Sequence, residues 1–365
     1  MKCFFTVTND LNSDQRMIRI CNSVSKLGHE VTLVGRSKRD SQKLVKRLFK
    51  QHRIKCFFEK GKLFYLEYNI RLFFYLATQS FDVLTNIDLD TSITGVLLKQ
   101  SKKFKLIYDA HELFPHVPEV ISRPKIQKIW NWVESMTFSN IDAYITVSEN
   151  IAEYFQKKYP NLNDASVIRN VPLKQINNDR DIDLTHFDKP FILYQGALNE
   201  GRGLERLIEV ISELSYTLVL IGKGDVENEL KRMAEELNMS DRVIFLGFVL
   251  PEDLRYYTQK AKVGYNVSEN LGLSYYYSLN NKFFDYVHAS LPSVINRFPE
   301  YEKLLSQYEV GTLVNPDNNE IKNALVKLME DQQYHDHCTK QCEQASIVWN
   351  WDVEEGKLER IYSIN

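Results

Sequence analysis

The chain has 365 residues, 44% of them apolar, enough for two domains of ordinary size with a sizeable core in each. Its formal charge of −2 is unevenly spread: residues 1–175 carry 27 Lys+Arg against 17 Asp+Glu, and residues 176–365 carry 19 against 31, so one half can meet an anionic surface while the other stays acidic. Five scattered cysteines, with no Cys-x-x-Cys pair and no zinc-like spacing, argue against a disulfide scaffold or a zinc module and fit a reduced, cytoplasmic protein.

Apolar, strand-like runs occupy residues 3–8, 30–34, 81–84, 105–108 and 143–147, with helical patterns between them. This is the βαβ rhythm of a parallel sheet. The first run leads straight from the N-terminus with no cleavage signal. Its loop, Asn9-Asp-Leu-Asn-Ser-Asp-Gln-Arg16, places Asp14 and Arg16 at the start of a helix.

From Arg36 to Lys62 there are 11 basic residues and two acids, Asp40 and Glu59, interleaved with Phe49, Phe57 and Phe58. The segment reads as a peripheral membrane patch, a seat for a polyanionic acceptor, or a solvated helical face over a core. No nucleic-acid motif accompanies the charge, so no nucleic-acid partner is expected. The aromatic stretch 63–77 is broken by Glu67, Asn69 and Arg71 and reads as a buried amphipathic helix. No uninterrupted apolar run approaches the roughly 20 residues of a membrane span.

Asn86-Ile-Asp-Leu-Asp90 follows the third run. Asp88-x-Asp90 looks like a metal-binding pair of a different architecture, but a helix cap at Asp90 or Thr91 explains it adequately. Tyr108-Asp-Ala-His-Glu-Leu-Phe-Pro115 follows the next run and offers His111 and Glu112, with His111 a cleft residue or a satisfied loop histidine.

Residues 172–189 are polar and read as a linker. The rhythm then restarts at 191–195, 217–221, 243–245, 263–266 and 293–295, giving two consecutive doubly wound domains facing across a cleft. Each of the first three strands ends in a polar or glycine loop. Gly196, Gly201, Arg202 and Gly203 precede a helix from Leu204, where backbone N–H groups and a fixed charge suit a phosphate. Gly222 lies in Ile221-Gly-Lys-Gly224, a weaker signal that turn chemistry alone can explain. Gly247, Phe248 and Val249 could hold a flat base through backbone hydrogen bonds.

The most informative stretch is Tyr275-Tyr-Tyr-Ser-Leu-Asn-Asn-Lys-Phe-Phe-Asp-Tyr286. Lys282 and Asp285 share a helical face, behind a polar turn with Tyr277, Ser278, Leu279 and Asn281. An open helix N-terminus seats a diphosphate, and an acid one turn on can hold sugar hydroxyls. The combination suggests a nucleotide-sugar site. No nucleophile elbow, Walker loop or His-Glu-x-x-His is present.

Together these loops, with Ile145-Thr-Val-Ser-Glu149 and Trp349-Asn-Trp-Asp-Val353, resemble a GT-B fold glycosyltransferase of the large retaining family 4 group, over essentially the whole chain. The resemblance implies two Rossmann-like domains. Residues 1–175 would bind the acceptor, completed by a C-terminal helix at 350–365, and residues 176–349 would bind the nucleotide sugar. The family's basic pair lies in a Gly-Arg-Leu-x-x-x-Lys-Gly loop. Here Ala197 stands at the first basic position and Arg202 at the second, with Lys282 a candidate for the missing charge. Of two family glutamates eight positions apart, the later matches Asp285. The earlier falls at Tyr277, and Glu269 from Glu269-Asn-Leu-Gly-Leu273 is a candidate for its role.

The expected activity is retaining, metal-independent, cofactor-free hexosyl transfer from a UDP-sugar (GDP second) to a glycan or lipid-linked glycan in surface polysaccharide assembly. It would take place in the cytoplasm, at the inner face of the membrane through Arg36 to Lys62. Catalysis is expected from Arg202, Lys282, Asp285, Glu269 and His111. Asp14, Arg16, Asp88 and Glu112 fall on the acceptor side. Two other classes fit the same outline: a nucleotide-sugar epimerase, whose proton-abstracting set is not seen, and a non-catalytic scaffold that binds a nucleotide sugar.

Overall fold

The computed structural model describes residues 1–39, 41–162, 165–174, 187 and 189–363, with the side chain of Pro251 excepted. It divides into two compact units, Met1–Arg169 with Glu354–Asn365, and Asn170–Val353. The division falls at 169/170 and 353/354, while most of the expected linker, including residues 175 and 176, lies outside the described residues.

The first unit carries a seven-stranded parallel sheet: β1 (Lys2–Thr6), β2 (Glu30–Ser37), β3 (Lys50–Lys55), β4 (Val83–Ile87), β5 (Lys105–Ala110), β6 (Ala143–Thr146) and β7 (Ala165–Val167), in the order β3-β2-β1-β4-β5-β6-β7. Cys3 pairs with Val31 on one side and Val83 on the other. The order therefore reverses between β1 and β4, and a doubly wound sheet offers its ligand crevice at that point, beyond the strand carboxyl ends. Both faces are covered, so the strands read as continuous apolar runs: Phe4 and Phe5, Leu33 and Val34, Leu106 and Ile107 are all buried. Burying each such side chain contributes about 1.5–3 kcal/mol. The last helix, Trp351–Ile361, closes this core from Glu354 onward. Lys357 Nζ donates to Val167 O at 3.1 Å, and the Tyr362 and Thr85 hydroxyls lie 2.9 Å apart.

The second unit repeats the plan with β8 (Phe191–Gln195), β9 (Thr217–Ile221), β10 (Val243–Gly247), β11 (Val263–Asn266), β12 (Ser293–Asn296) and β13 (Gly311–Val314), in the order β10-β9-β8-β11-β12-β13, all parallel. Successive β8 residues feed opposite layers. Ile192 and Tyr194 pack with Leu204, Leu207 and Ile208, while Phe191 and Leu193 pack with Tyr286. Helix Asn281–His288 is pulled hard onto the sheet. A Cβ at Gly264 would come within 2.6 Å of the Tyr286 ring, and the Tyr286 hydroxyl donates to Leu193 O at 3.1 Å. That docking fixes where Lys282 and Asp285 point.

Three strands escape the sequence pattern. β3 contains one buried residue, Ile54, because it is an edge strand with a solvated side, while β7 has three residues and β13 four. The basic segment from Arg36 to Lys62 is thus not a helical face. Its described residues comprise the end of β2, edge strand β3, irregular chain on either side of β3, and the first two residues of helix Gly61–Ala77. Helix Gly61–Ala77 forms as expected but is not buried overall: Phe64, Tyr68, Leu72 and Leu76 face the core, and Leu63, Leu66, Ile70 and Phe74 face outward.

Candidate functional site

In the second unit the loops after β8, β9 and β10 stack backbone against backbone. Gly196 N–H donates to Ile221 O at 2.9 Å, and Gly222 N–H donates to Gly247 O at 2.8 Å. The glycines permit this approach. A Cβ at Gly222 would fall 1.8 Å from Gly196 O, and one at Gly203 would fall 2.8 Å from Val267 O. Gly203, at φ 65, is the N-cap of helix Leu204–Ser212 and leaves the first-turn N–H groups without a side-chain cap. Helix Asn281–His288 begins the same way: its N-cap Asn280 makes no side-chain bond to the helix.

Lys282 lies just inside that second helix and is only 8% exposed. Its ammonium sits 4.0 Å from the centre of the Tyr194 ring, whose hydroxyl is tied to Ala197 O at 2.7 Å. Among the described residues it has no hydrogen bond and no carboxylate within salt-bridge range. Burial first, and the neighbouring Arg202 second, push its pKa well below the lysine range, against a smaller opposing pull from Asp285. The ammonium faces Gly196: a Cβ there would lie 3.7 Å from Nζ. Arg202 stacks over Tyr275 at 5.0 Å, and its Nη1 donates to Asn280 Oδ1 at 3.4 Å. Two cations and two helix N-termini without side-chain caps therefore lie close together beside the Gly196 loop.

Asp285 follows Lys282 by one turn and accepts from Gln195 Nε2 at 3.1 Å; Gln195 is held in turn by the Thr258 hydroxyl. Glu269 is placed differently from the expectation. Its carboxylate pairs with Arg206 at 2.9 Å, and its backbone N–H donates to Gly201 O. Gly201 itself is covered by Leu271 and Tyr275. Tyr277, Ser278 and Leu279 form the break between the short helix Leu273–Tyr276 and the one carrying Lys282; Leu279 is buried, and Asn281 accepts from Asn170 Nδ2 at 2.5 Å. Phe248, beside Gly247, is 64% exposed, and Val249 packs on the core edge.

In the first unit a second polar cluster forms where β1, β4 and β5 end. Asp14 caps helix Gln15–Lys26 by accepting from Met17 N–H at 3.1 Å, and also accepts from Asn9. Arg16, buried two residues on, donates to Ile168 O at 2.8 Å and to Asp109 Oδ1 at 3.1 Å; its Nε lies 3.0 Å from His111 Nε2, which is itself 3.3 Å from Asp109 Oδ2. Burial alone would raise Asp109, but Arg16 and His111 outweigh it and hold its carboxyl below the usual range. Burial lowers His111, yet Asp109 and Asp88 more than reverse this and raise it to about 8. Asp88 has the left-handed φ of 53, accepts from His111 N–H at 2.9 Å, and lies 3.7 Å from His111 Nδ1. Such backbone strain in a non-glycine residue costs about 1–3 kcal/mol and marks a place where the surroundings dictate geometry. Glu112 lies in the turn leading to Phe114–His116.

The capping role expected of Asp90 or Thr91 is not what the structure shows. Asp88 is the N-cap residue of helix Leu89–Lys99 and makes no side-chain cap, while Asp90 accepts from the Thr8 hydroxyl at 2.6 Å. Burial, with Asp88 adding to it, raises Asp90 to about 7. Thr91 donates back to Ile87 O.

Four residues in these clusters were not singled out by the sequence reading: Asp109, Gln195, Asn266 and Asn280. Asn280 links Arg202 to Asn266, whose side chain also bears on the Tyr301 hydroxyl. Three of the four carry one shared signal, a polar residue at or near the end of an otherwise apolar buried strand, where burial is costly unless a partner or ligand is supplied.

Residues 15–171 match the model described as Glycosyltransferase Family 4, and residues 175–345 match Glycosyl transferases group 1. The chain is 24% identical over 152 residues to an Escherichia coli O-antigen chain mannosyltransferase C, covering 40% of each chain. It is 28% identical over 167 residues to a Campylobacter jejuni N-acetylgalactosamine-N,N'-diacetylbacillosaminyl-diphospho-undecaprenol 4-alpha-N-acetylgalactosaminyltransferase, covering 45% of this chain and 43% of the relative. The matches thus span less than half the length of these curated relatives. Among solved structures, Anabaena HepE in complex with UDP-glucose superposes with a TM-score of 0.77 at 14% identity over 100% of both chains, a likeness of fold.

Proposed function

We propose, for a chain that belongs to the family 4-like glycosyltransferases of GT-B fold, that it moves a hexosyl group from a nucleoside-diphosphate sugar to a glycan or lipid-linked glycan in surface polysaccharide assembly. One observation carries the donor half of this reading: the buried ammonium of Lys282, with no hydrogen-bond or salt-bridge partner among the described residues, set with Arg202 against the Gly196 loop. A buried cation without an anion is costly. A diphosphate supplies the missing charge and accepts from the open N-termini at Leu204 and Asn281. UDP is preferred over GDP, in keeping with the UDP-glucose bound by the Anabaena protein of like fold.

Departure of the diphosphate leaves positive charge on the sugar and builds negative charge on the leaving oxygens. Lys282, Arg202 and the two helix ends are preorganised for the second, commonly the largest catalytic contribution. These groups provide the positive charge that a divalent metal supplies elsewhere, so neither metal nor cofactor enters the scheme. Retention follows from same-face attack, with the donor phosphate taking the acceptor's proton. Asp285 holds donor hydroxyls. Glu269, paired with Arg206, acts on the sugar only if that pair opens. His111, Arg16, Asp88, Asp14 and Glu112 serve the acceptor. A lipid-linked acceptor, of the kind named in the Campylobacter relative, fits work at the inner membrane face, with the basic residues from Arg36 to Lys62 in electrostatic contact with it.

Melting temperature against UDP-, GDP- and ADP-sugars and their free nucleotides tests the donor half. The expected result is a selective rise with one base that disappears in Arg202→Ala. A rise that survives Arg202→Ala, or none with any member, contradicts it.

A further inference from the structure

Beyond the donor and acceptor clusters, the most unusual surface of the first unit is the outward side of helix Gly61–Ala77 and the turn before it. Leu63, Leu66, Ile70 and Phe74 follow one another at spacings of three and four and make one exposed stripe; Phe74 is 67% exposed and Leu66 59%. Phe57, at 82% exposure, and Phe58 adjoin it. Single exposed apolar residues are ordinary, but six gathered on one helix face and its lead-in turn are not.

The turn is also built rather than loose. The Glu67 carboxylate accepts from the backbone N–H groups of Phe57 and Phe58 at 2.9–3.0 Å, and Arg71 pairs with Glu67 at 2.8 Å while lying 5.4 Å from the Phe57 ring centre. Glu67 is thereby neutralised, Glu59 in the same turn pairs with Arg39 at 3.2 Å, and two phenylalanines are held outward. Around them, Lys55, Lys60 and Lys62 are exposed and have no carboxylate partner among the described residues. An apolar stripe beside unpaired lysines complements a bilayer surface that is apolar below and anionic above. No helix of the described residues is long and apolar enough to cross a membrane.

We propose that this face is an insertion surface for an anionic phospholipid bilayer, with Phe57, Phe58, Ile70 and Phe74 entering the headgroup–acyl boundary and Lys55, Lys60 and Lys62 resting on lipid phosphates. It deepens the reading of a membrane-borne acceptor given above, replacing a purely electrostatic contact by an inserted one. It is independent of the donor site, so the two can fail separately.

The test is co-sedimentation of the full chain with vesicles of phosphatidylcholine alone and with phosphatidylglycerol as about one lipid in three. Wild type should bind the anionic vesicles. The pairs Phe57→Ser with Phe58→Ser, and Ile70→Ser with Phe74→Ser, should each weaken partition roughly tenfold or more, with melting temperature and nucleotide response unchanged. Slowed hydrogen exchange across residues 57–74 of the wild type on vesicle addition reads the same contact without a substitution. Absence of wild-type binding overturns the proposal, as do serine variants that bind like wild type, which would mean charge alone acts. Concentration-dependent dimerisation that the serine variants abolish, without vesicle binding, would assign the face to a second copy of the chain and equally overturn it.

Discussion

Replacing Lys282 by methionine should move stability and nucleotide affinity in opposite directions. Methionine fills nearly the same space against Tyr194 and Gly196 but removes the charge. In the free protein that charge is buried against the Tyr194 ring face, without a hydrogen bond among the described residues, and cation–π attraction returns about 2 kcal/mol. Burial first, and the neighbouring Arg202 second, disfavour the charge, against a smaller pull from Asp285. Net relief on substitution is about 1–3 kcal/mol, and at roughly 2–4 °C per kcal/mol for a unit of this size the melting temperature rises by about 2–12 °C. With diphosphate bound, the same substitution forfeits a charge-assisted hydrogen bond of about 1.5–3 kcal/mol, so affinity falls by roughly 10- to 150-fold. The pH dependence has a defined sign. Between the lowered folded pKa and the ordinary lysine value, the unfolded chain binds the extra proton, so the wild type gains stability relative to Lys282→Met as pH rises through that window, and the penalty is fully present below it. Differential scanning fluorimetry with and without nucleotide, at several pH values, reads all three effects. A variant that melts lower and still responds fully to nucleotide would show Lys282 to be a structural lysine and refute the reasoning.

Proton NMR titration should place His111 near 8, and Asp88→Asn should lower it by removing one of its two carboxylates. Because the folded value is raised, the stabilisation from charged His111 is complete below the unfolded value near 6.5 and is lost as pH rises through about 8; an unshifted value in wild type would contradict the cluster's electrostatics. Gly222→Ala should destabilise the second unit by about 1–3 kcal/mol and abolish the nucleotide response, since its Cβ would meet Gly196 O at 1.8 Å with φ at 144; calorimetric unfolding checks it. Ala197→Arg, at an exposed position on the same loop, should tighten UDP binding by roughly tenfold through an added charge on the diphosphate, measured by titration calorimetry, and unchanged or weaker affinity would count against the site.

The doubly wound plan was legible because buried parallel strands write themselves as apolar runs bounded by glycine or polar loops, and β8, β9 and β11 lie where those runs fall. Strand β3, Lys50–Lys55, was not, because an edge strand with one solvated side needs only Ile54 inside. The placing of Lys282 and Asp285 on one helix face was readable from a spacing of three. The pairing of Glu269 with Arg206 was not, since it joins residues 63 positions apart through side-chain reach that no local pattern encodes. Asp109 could have been found: it is the penultimate residue of a buried strand, two residues before His111, where an unpartnered carboxylate would be untenable. The outward stripe of helix Gly61–Ala77 was hidden because a helix apolar on two sides looks buried until one side is seen to lack a partner.

In the proposed reaction a nucleotide sugar bound at Lys282 and Arg202 is cleaved and its sugar transferred. This transfer is tested most directly by phosphorus-31 and proton NMR of the full chain with the donor selected by the melting panel and a lipid extract containing polyprenyl-diphosphate glycans. The expected result is steady appearance of free nucleoside diphosphate together with a new anomeric resonance of retained configuration, both lost in Lys282→Met. A donor whose sugar changes while its diphosphate linkage stays intact would instead indicate an epimerase, and a donor that binds and remains unchanged would indicate a scaffold; either contradicts the claim.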